Sequence, residues 1–198
     1  MSQNVASPIR LVVLISGNGS NLQAIIDNIE NHNLPAQIVA VISNNADAFG
    51  LKRAQKAGIE TEIFSHRDYP DRQQYDLALQ KLIDGYQPDL IILAGFMRIL
   101  SHEFVQHYSN KMMNVHPSLL PKYKGLNTHQ RAIDAGEKEH GCSVHFVTPE
   151  LDDGPVILQA KVPIKDDDTA ETLAARVHEQ EHRIFPEAIR LFAENKLT

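Results

Sequence analysis

Short runs of apolar, mostly β-branched residues alternate along the chain with longer amphipathic segments, and this alternation constrains the fold more than any other feature. The clearest runs are RLVVLIS, QIVAVISN and DLIILAGF, at residues 10–16, 37–44 and 89–96. Such continuous runs are typical of strands buried on both faces of a parallel sheet. A segment between two runs carries apolar residues at helical spacing, as at Leu22 and Ile25. The pattern predicts a Rossmann-like α/β fold, an open, doubly wound, mostly parallel sheet with helices on both faces.

Glycine, proline and serine mark the ends of the predicted helices. Gly58 lies just past a helix predicted at 46–57, and Pro88 follows one predicted at 72–86. Ser101 is expected to cap a short helix before the strand KMMNVH. The run IETEIFS is less apolar than the others, so we expect it at an edge of the sheet.

The rhythm changes in the last third of the chain. CSVHFVT and PVILQAKVPI leave no room for a helix between them, which predicts an antiparallel strand pair. A long terminal helix follows, with Asp168 and Glu171 at the spacing of a capping box. Pro186 is expected to kink or divide this helix.

Length and charge narrow the classes of function. We expect one domain over residues 1–198, with about residues 1–8 disordered. The formal net charge is −6, with no basic block, which argues against nucleic acid or an anionic membrane as partner. A single cysteine, Cys142, excludes a disulfide framework, and the first apolar run is too short for a signal peptide or a membrane span. We expect a cytoplasmic monomer or homodimer that acts on small molecules.

The stretch HEQEH, at residues 178–182, fits the H-E-x-x-H pattern of zinc proteases. Such a site needs a third protein ligand, usually downstream, and the chain continues past His182 without the known continuation H-x-x-G-x-x-H. A solvated polar face on a terminal helix is the simpler interpretation. We therefore expect no metal.

The stretch SGNGSN links the first strand to its helix. A turn of this kind presents backbone N–H groups and the positive end of the helix dipole to an anion such as a phosphate. It is not a P-loop, and Leu22 stands where the dinucleotide fingerprint has its third glycine. A glycine-rich turn without a ligand remains the alternative.

The stretch NVHPSLLP follows the fifth predicted strand. Asn114 and His116 are two residues apart, so both side chains leave the same face at the edge where doubly wound sheets bind ligands. An amide beside an imidazole can hold a carbonyl and stabilise the oxyanion that forms when it is attacked. A structural hydrogen-bond node is the alternative.

Five segments, in order and at matching spacing, carry a specific resemblance: SGNGSN, LAGFMRILS, NVHPSLLPKYKG, HGCSVHFV and LDDGPVILQ. They resemble the glycinamide ribonucleotide formyltransferases of purine biosynthesis, members of the larger group of 10-formyltetrahydrofolate-dependent formyltransferases and hydrolases. The similarity extends from about Leu11 to Leu197. It implies a transferase of one-carbon metabolism that takes the formyl group of 10-formyltetrahydrofolate as co-substrate.

The resemblance also implies residue roles. The catalytic residues would be Asn114, His116 and Asp152. The ribonucleotide would be held by Gly19, Ser20, Asn21, His178, Glu179, Gln180 and Glu181. The folate would be held by Arg72, Met97, Arg98, Ile99, Leu100, Asn114, Thr148, Pro149, Glu150, Leu151 and Asp152. Two residues depart from the family pattern, Lys124 in place of proline and Asp153 in place of glycine.

The implied mechanism is direct attack of the ribonucleotide amine on the formyl carbon, without a covalent enzyme intermediate. Asn114 and protonated His116 would stabilise the oxyanion, and Asp152 would favour the imidazolium. Three rivals are a methionyl-tRNA formyltransferase, disfavoured by acidic charge and short length, a formyltetrahydrofolate hydrolase, and a non-catalytic nucleotide sensor. Phe96 is expected near the folate or in the core, and the roles of Ser143 and His145 stay open. Four histidines are expected at the surface: His102, His107, His129 and His140.

Overall fold

A computed structural model describes residues 7–197, which form one seven-stranded sheet covered by helices. The strands are β1 Ile9–Ile15, β2 Ala36–Ser43, β3 Thr61–Ile63, β4 Leu90–Leu93, β5 Met112–His116, β6 Glu139–Phe146 and β7 Val156–Pro163. The helices are α1 Ser20–Glu30, α2 Phe49–Lys56, α3 Arg72–Gly85, α4 His102–His107, α5 Thr128–Asp134 and α6 Ala170–Ala193, with a 3-10 turn at His66–Asp68. The prediction of disorder at residues 1–8 lies, for residues 1–6, outside the described residues.

The sheet has the strand order β3-β2-β1-β4-β5-β6-β7. The four pairings from β3 to β5 are parallel, and β5–β6 and β6–β7 are antiparallel. This confirms the predicted fold class, with β4 in the centre and β3 at an edge. The predicted antiparallel pair is confirmed too, and it extends by one strand because β6 also runs against β5.

Both faces of the sheet are buried, as the apolar runs predicted. Along β1, Leu11 and Val13 point to the face covered by α1 and α6, whereas Val12 and Leu14 point to the face covered by α3 and α4. All the residues from Leu11 to Ile15 are fully buried. The two faces are therefore separate hydrophobic cores that hold the central strands in place.

Two local predictions were wrong, and one helix was missed. Helix α2 begins at Phe49 rather than at residue 46, and helix α5 was not predicted. The capping box of α6 joins Thr169 and Thr172, not Asp168 and Glu171. Asp168 instead accepts hydrogen bonds from the Lys165 amide and the Arg176 guanidinium.

Helix α6 continues through Pro186 without a break, so the proline does not divide it. Pro186 lacks an N–H, and one turn of the helix simply forgoes that hydrogen bond. Both Pro186 and the neighbouring Phe185 are buried against the sheet, and this packing holds the helix together. None of the helices within residues 7–197 combines the length and the apolarity that crossing a bilayer requires.

Candidate active site

The chain reverses its direction of winding between β1 and β4. After β1 it builds β2 and β3 on one side, and then returns to place β4 and β5 on the other. A crevice opens at such a switch point, at the carboxyl ends of the strands, and ligands bind there. The segments that follow β1 and β4 meet at this point, where the Met97 amide donates to Ser16 Oγ at 2.8 Å.

The glycine turn after β1 opens helix α1. Gly19 is the N-cap residue in the left-handed conformation, with φ of 76°. The first N–H groups of a helix have no partner within the helix, and no side chain caps those of α1. Helix α2 packs closely against the turn, because a Cβ added to Gly19 would lie 2.7 Å from the Cα of Gly50 in that helix. The turn is therefore a tightly packed helix start, and its role as an anion site stays a prediction.

Arg53 of α2 supports the glycine turn and was missed by the sequence analysis. Its Nε donates to the Asn18 carbonyl at 2.8 Å, and its Nη2 donates to Asn18 Oδ1 at 2.6 Å. The guanidinium thus fixes the turn and adds a positive charge beside it. Arg53 is 35 residues away from Asn18 in sequence, so no local pattern could indicate this contact.

Helix α6 contributes one buried carboxylate to the turn. Asn21 Nδ2 donates to Glu181 Oε2 at 3.2 Å, and Glu181 is only 5% exposed. Burial raises the pKa of Glu181, and the nearby His178 opposes this rise. Among the other residues predicted for the ribonucleotide, Gln180 is partly buried, whereas His178 and Glu179 are exposed.

A cavity of about 330 Å³ lies beyond the carboxyl ends of β4 and β5. It is lined by all but one of the residues predicted to hold the folate: Met97, Arg98, Ile99, Leu100, Asn114, Thr148, Pro149, Glu150, Leu151 and Asp152. The exception is Arg72, which is exposed at the start of α3 and does not line the cavity. Phe96 and His145 line it too, together with Leu93, Val105 and Val147. A larger cavity of about 590 Å³ lies beside Tyr123 and contains none of the predicted residues.

Asn114 is oriented by His145. The His145 Nδ1–H donates to the Phe146 carbonyl at 3.0 Å, so its Nε2 is free to accept from Asn114 Nδ2 at 3.4 Å. Burial lowers the pKa of His145, which keeps the ring neutral and able to accept. The second N–H of the Asn114 amide has no hydrogen-bond partner among the described residues, and Asn114 is one of the residues that line the cavity.

His116 is held between a carbonyl and a carboxylate. Its Nε2 donates to the Tyr123 carbonyl at 2.9 Å, and its Nδ1 lies 3.5 Å from Asp152 Oδ2. The Gly125 amide donates to the same Oδ2 at 2.9 Å. Both side chains are more than nine-tenths buried. The structure thus brings the three predicted catalytic side chains to one place, with the Nδ1 edge of His116 directed at Asp152.

Two histidines predicted at the surface form a buried pair instead. His102 and His107 are exposed as predicted, but His140 is 1% exposed and His129 is half-buried. His140 donates to the Pro117 carbonyl and accepts at Nε2 from His129 Nδ1 at 3.1 Å. Burial lowers the pKa of His129 to about 4, so the ring facing His178 is neutral.

Ser143 fastens the segment after His116 to strand β6. Its fully buried hydroxyl donates to the Ser118 carbonyl at 2.7 Å and accepts from the Leu120 amide at 3.0 Å. The role that the sequence left open for Ser143 is therefore a structural one.

The HEQEH stretch lies on α6, as predicted. Within residues 7–197, no three side chains of His, Cys, Asp or Glu come together in a way that could hold a metal ion. Glu181, the fourth residue of the stretch, points to Asn21 instead.

Comparison with known proteins identifies the class. Residues 9–189 match a family model described as formyl transferase. The chain is 56% identical over 187 residues to phosphoribosylglycinamide formyltransferase of Escherichia coli K12, covering 94% of this chain and 88% of that protein. It is 50% identical over 184 residues to the human trifunctional purine biosynthetic protein adenosine-3, covering 93% of this chain and 18% of that protein.

Solved structures agree with this assignment. Phosphoribosylglycinamide formyltransferase from Coxiella burnetii, in complex with CHES, has a TM-score of 0.91 at 59% identity, covering 95% of this chain and 88% of that chain. Glycinamide ribonucleotide transformylase 1 from Symbiobacterium toebii has a TM-score of 0.96 at 45% identity, covering 100% of this chain and 94% of that chain. The fold and the site thus define an enzyme of the formyl transferase family. Within that family, the chain belongs to the phosphoribosylglycinamide formyltransferases.

Proposed function

We propose that this chain transfers the formyl group of 10-formyltetrahydrofolate to the amine of glycinamide ribonucleotide, a step of purine biosynthesis. One observation carries the proposal: the carboxyl ends of β1, β4 and β5 bring the glycine turn, the cavity, and the side chains of Asn114 and His116 to the same edge of the sheet. The family implies a folate-type formyl donor. The identity of that donor as 10-formyltetrahydrofolate is part of the proposal.

The cavity beside Asn114 fits a folate. Apolar side chains at its rim, Met97, Ile99 and Leu151, are 74%, 67% and 63% exposed and offer a surface for a planar ring. The backbone at 97–100 and 148–152 is proposed to pair with the polar edge of the pterin. Arg72, which lies outside the cavity, is proposed to meet a more distant part of the same ligand.

The ribonucleotide is proposed to bind across the glycine turn and α6. Its phosphate would accept hydrogen bonds from the backbone amides after Gly19, supported by the positive charge of Arg53. Glu181 would accept from the ribose hydroxyl groups, because a carboxylate can take two such bonds. Ser20, Asn21, His178, Glu179 and Gln180 complete the proposed contact set.

Chemistry would then proceed by direct attack of the amine on the formyl carbon. A bound amine is already a good nucleophile, so the protein has to align two substrates and stabilise the tetrahedral oxyanion. The free N–H of Asn114 and the Nδ1–H of protonated His116 are the proposed donors, and the 3.5 Å from His116 Nδ1 to Asp152 Oδ2 is too long for a strong hydrogen bond, so this N–H can turn to the oxyanion. Asp152 would favour the imidazolium by opposite charge and assist proton movement from the amine to the leaving nitrogen.

The proposal is tested with purified protein and 10-formyltetrahydrofolate, with and without glycinamide ribonucleotide, in the presence of EDTA. We expect spectrophotometric loss of the formyl group that requires the ribonucleotide and is insensitive to the chelator. Turnover without ribonucleotide would identify a hydrolase, and no turnover would leave a binding module.

The remaining expectations belong to the same proposal. The chain is proposed to act as one domain over residues 1–198, in the cytoplasm, as a monomer or homodimer on small-molecule substrates alone. Sedimentation velocity of the purified protein decides between monomer and homodimer.

A further inference from the structure

Residues 122–127, here called the 122–127 segment, touch both His116 and Asp152. The Tyr123 carbonyl accepts from His116 Nε2 at 2.9 Å, and the Gly125 amide donates to Asp152 Oδ2 at 2.9 Å. Lys124 lies between these two contacts, and its Nζ forms an ion pair with Asp153 Oδ1. The Lys124 ion pair therefore lies, in sequence, between the two backbone groups that contact His116 and Asp152.

The backbone around this ion pair is unfavourable on its own. Tyr123 and Asn127 have φ of 54° and 55°, and Asp152 has φ of 50°. Left-handed conformations are rare for residues other than glycine, and a bulky side chain such as that of tyrosine is an outlier there. Such residues persist only where surrounding contacts determine their conformation.

Two polar contacts join the 122–127 segment to the loop at 147–155 within the described part of the chain. One is the bond from the Gly125 amide to Asp152, and the other is the Lys124–Asp153 pair. The remaining side-chain contacts of the segment reach the opposite side, where Arg131 donates to the Lys124 carbonyl and Tyr123 donates to Glu137. Without the ion pair, the hydrogen bond from the Gly125 amide would be the one polar contact left between the segment and the loop that carries Asp152.

We propose that Lys124 and Asp153 are positioning residues for formyl transfer. Their ion pair fastens the 122–127 segment to the 147–155 loop, and thereby keeps the Tyr123 carbonyl on His116 and the Gly125 amide on Asp152. The inference rests on the proposed function. The pair is largely exposed, at 37% for Lys124 and 54% for Asp153, so its contribution to overall stability is small and its loss should leave the protein folded.

The test compares Lys124→Met, Asp153→Asn, the double variant and the charge swap Lys124→Glu with Asp153→Lys. We expect each single variant to lower kcat about two- to fivefold at low salt, with both KM values within about twofold of wild type. The double variant should be no worse than either single one, and the charge swap should regain most of the lost kcat. Addition of about 1 M NaCl should lower kcat of the wild type but not of the single variants.

Lys122→Met is the matched control, because Lys122 forms an exposed ion pair with Glu137 in the same segment but does not contact the 147–155 loop. It should keep wild-type kcat. All variants should keep a Tm within about 3 °C of wild type. Amide hydrogen exchange should be faster at 122–127 in Lys124→Met and Asp153→Asn, and unchanged in the control.

Three results would overturn the inference. A changed KM with unchanged kcat in Lys124→Met would show that the lysine meets a substrate directly. A loss of activity in Lys124→Met that Asp153→Asn does not share would separate the two residues. If every variant kept the wild-type kcat and the wild-type rate of amide hydrogen exchange at 122–127, Lys124 and Asp153 would have no positioning role. Because hydrogen exchange needs no turnover, it tests the ion pair even if the wild type transfers no formyl group, an outcome that would count against the proposed function alone.

Discussion

Asn114 and His145 face each other across β5 and β6, with Asn114 Nδ2 donating to His145 Nε2 at 3.4 Å. The other ring nitrogen of His145 is occupied by the Phe146 carbonyl, so the ring presents a lone pair to the amide. This contact fixes which end of the Asn114 side chain carries the N–H groups, and it leaves one of them for the cavity. His145 is therefore a positioning residue for the proposed oxyanion donor.

The first prediction concerns this pair. Asn114→Ala should lower kcat by about 10²–10³, because one oxyanion donor is lost. His145→Ala should lower kcat by roughly tenfold, since the amide is present but free to rotate. In the double variant, the loss should match that of Asn114→Ala alone. Steady-state kinetics measure all three, with the exposed His102→Ala as control; additive losses would show that His145 acts independently of Asn114.

The second prediction concerns the imidazole and its carboxylate. His116→Ala and Asp152→Asn should each lower kcat about a hundredfold or more, with KM values little changed. Asparagine tolerates the left-handed backbone of residue 152, so the substitution removes the charge and keeps the loop. Asp166→Asn, which removes an exposed carboxylate that does not line the cavity, serves as the control. Near wild-type turnover in folded His116→Ala would rule out the mechanism.

The third prediction concerns the glycine turn. Gly19→Ala should raise KM for the ribonucleotide about tenfold or more, because a Cβ at this left-handed position meets the Gly50 backbone and shifts the amides. KM for the folate should stay within about twofold. Gly85→Ala, where nothing lies within 4 Å of the added Cβ, is the control. An unchanged KM for the ribonucleotide would remove the phosphate assignment.

The fourth prediction concerns the buried charge of Glu181. Because burial raises its pKa, the ionised form opposes folding above that pKa, whereas below the ordinary carboxyl pKa of about 4.3 both states are protonated. Glu181→Gln should therefore raise Tm by a few degrees at pH 8, with the gain vanishing near pH 4. The same variant should raise KM for the ribonucleotide.

Thermal melts across this pH range, with the exposed Glu30→Gln as control, measure the stability effect. A Tm gain that persisted at pH 4 would show that the carboxylate charge is not its cause. An unchanged KM would separate Glu181 from the ribose.

The sequence was sufficient to predict those elements whose pattern is local. Apart from Arg10, Gln37 and Ser43, the strands β1, β2 and β4 are apolar, and both faces of each are covered, so composition indicated their burial. Helix α5 was missed because THQRAID is polar and short, and because its N-cap, Asn127, takes a left-handed conformation rather than the usual capping one. The capping box was misplaced because Thr169 and Thr172 have the same spacing as Asp168 and Glu171.

The supporting contacts of the site could not be predicted, because they join residues that are distant in sequence. Arg53 and Asn18 are 35 positions apart, and Asn114 and His145 are 31 apart. His129 and His140 are polar residues of a kind usually found at the surface. Only the fold shows that they form a hydrogen bond with each other. The sequence pattern thus indicates the groups that are proposed to face the ligands, whereas the groups that orient them are found only in the tertiary structure.

Gly19 and Gly50 are distant in sequence but approach each other closely, and this contact limits what a directed-evolution experiment can change at either position. A Cβ on Gly19 would meet the Gly50 backbone, and a Cβ on Gly50 would lie 2.5 Å from an Ile15 methyl group, so neither position has room for a larger residue. A library that randomises residue 19 will lose most of its members, because any side chain there meets the Gly50 backbone, which no substitution at residue 50 can remove. A search for variants that accept a different anionic substrate would do better to mutate Arg53, which reaches the turn through a flexible side chain.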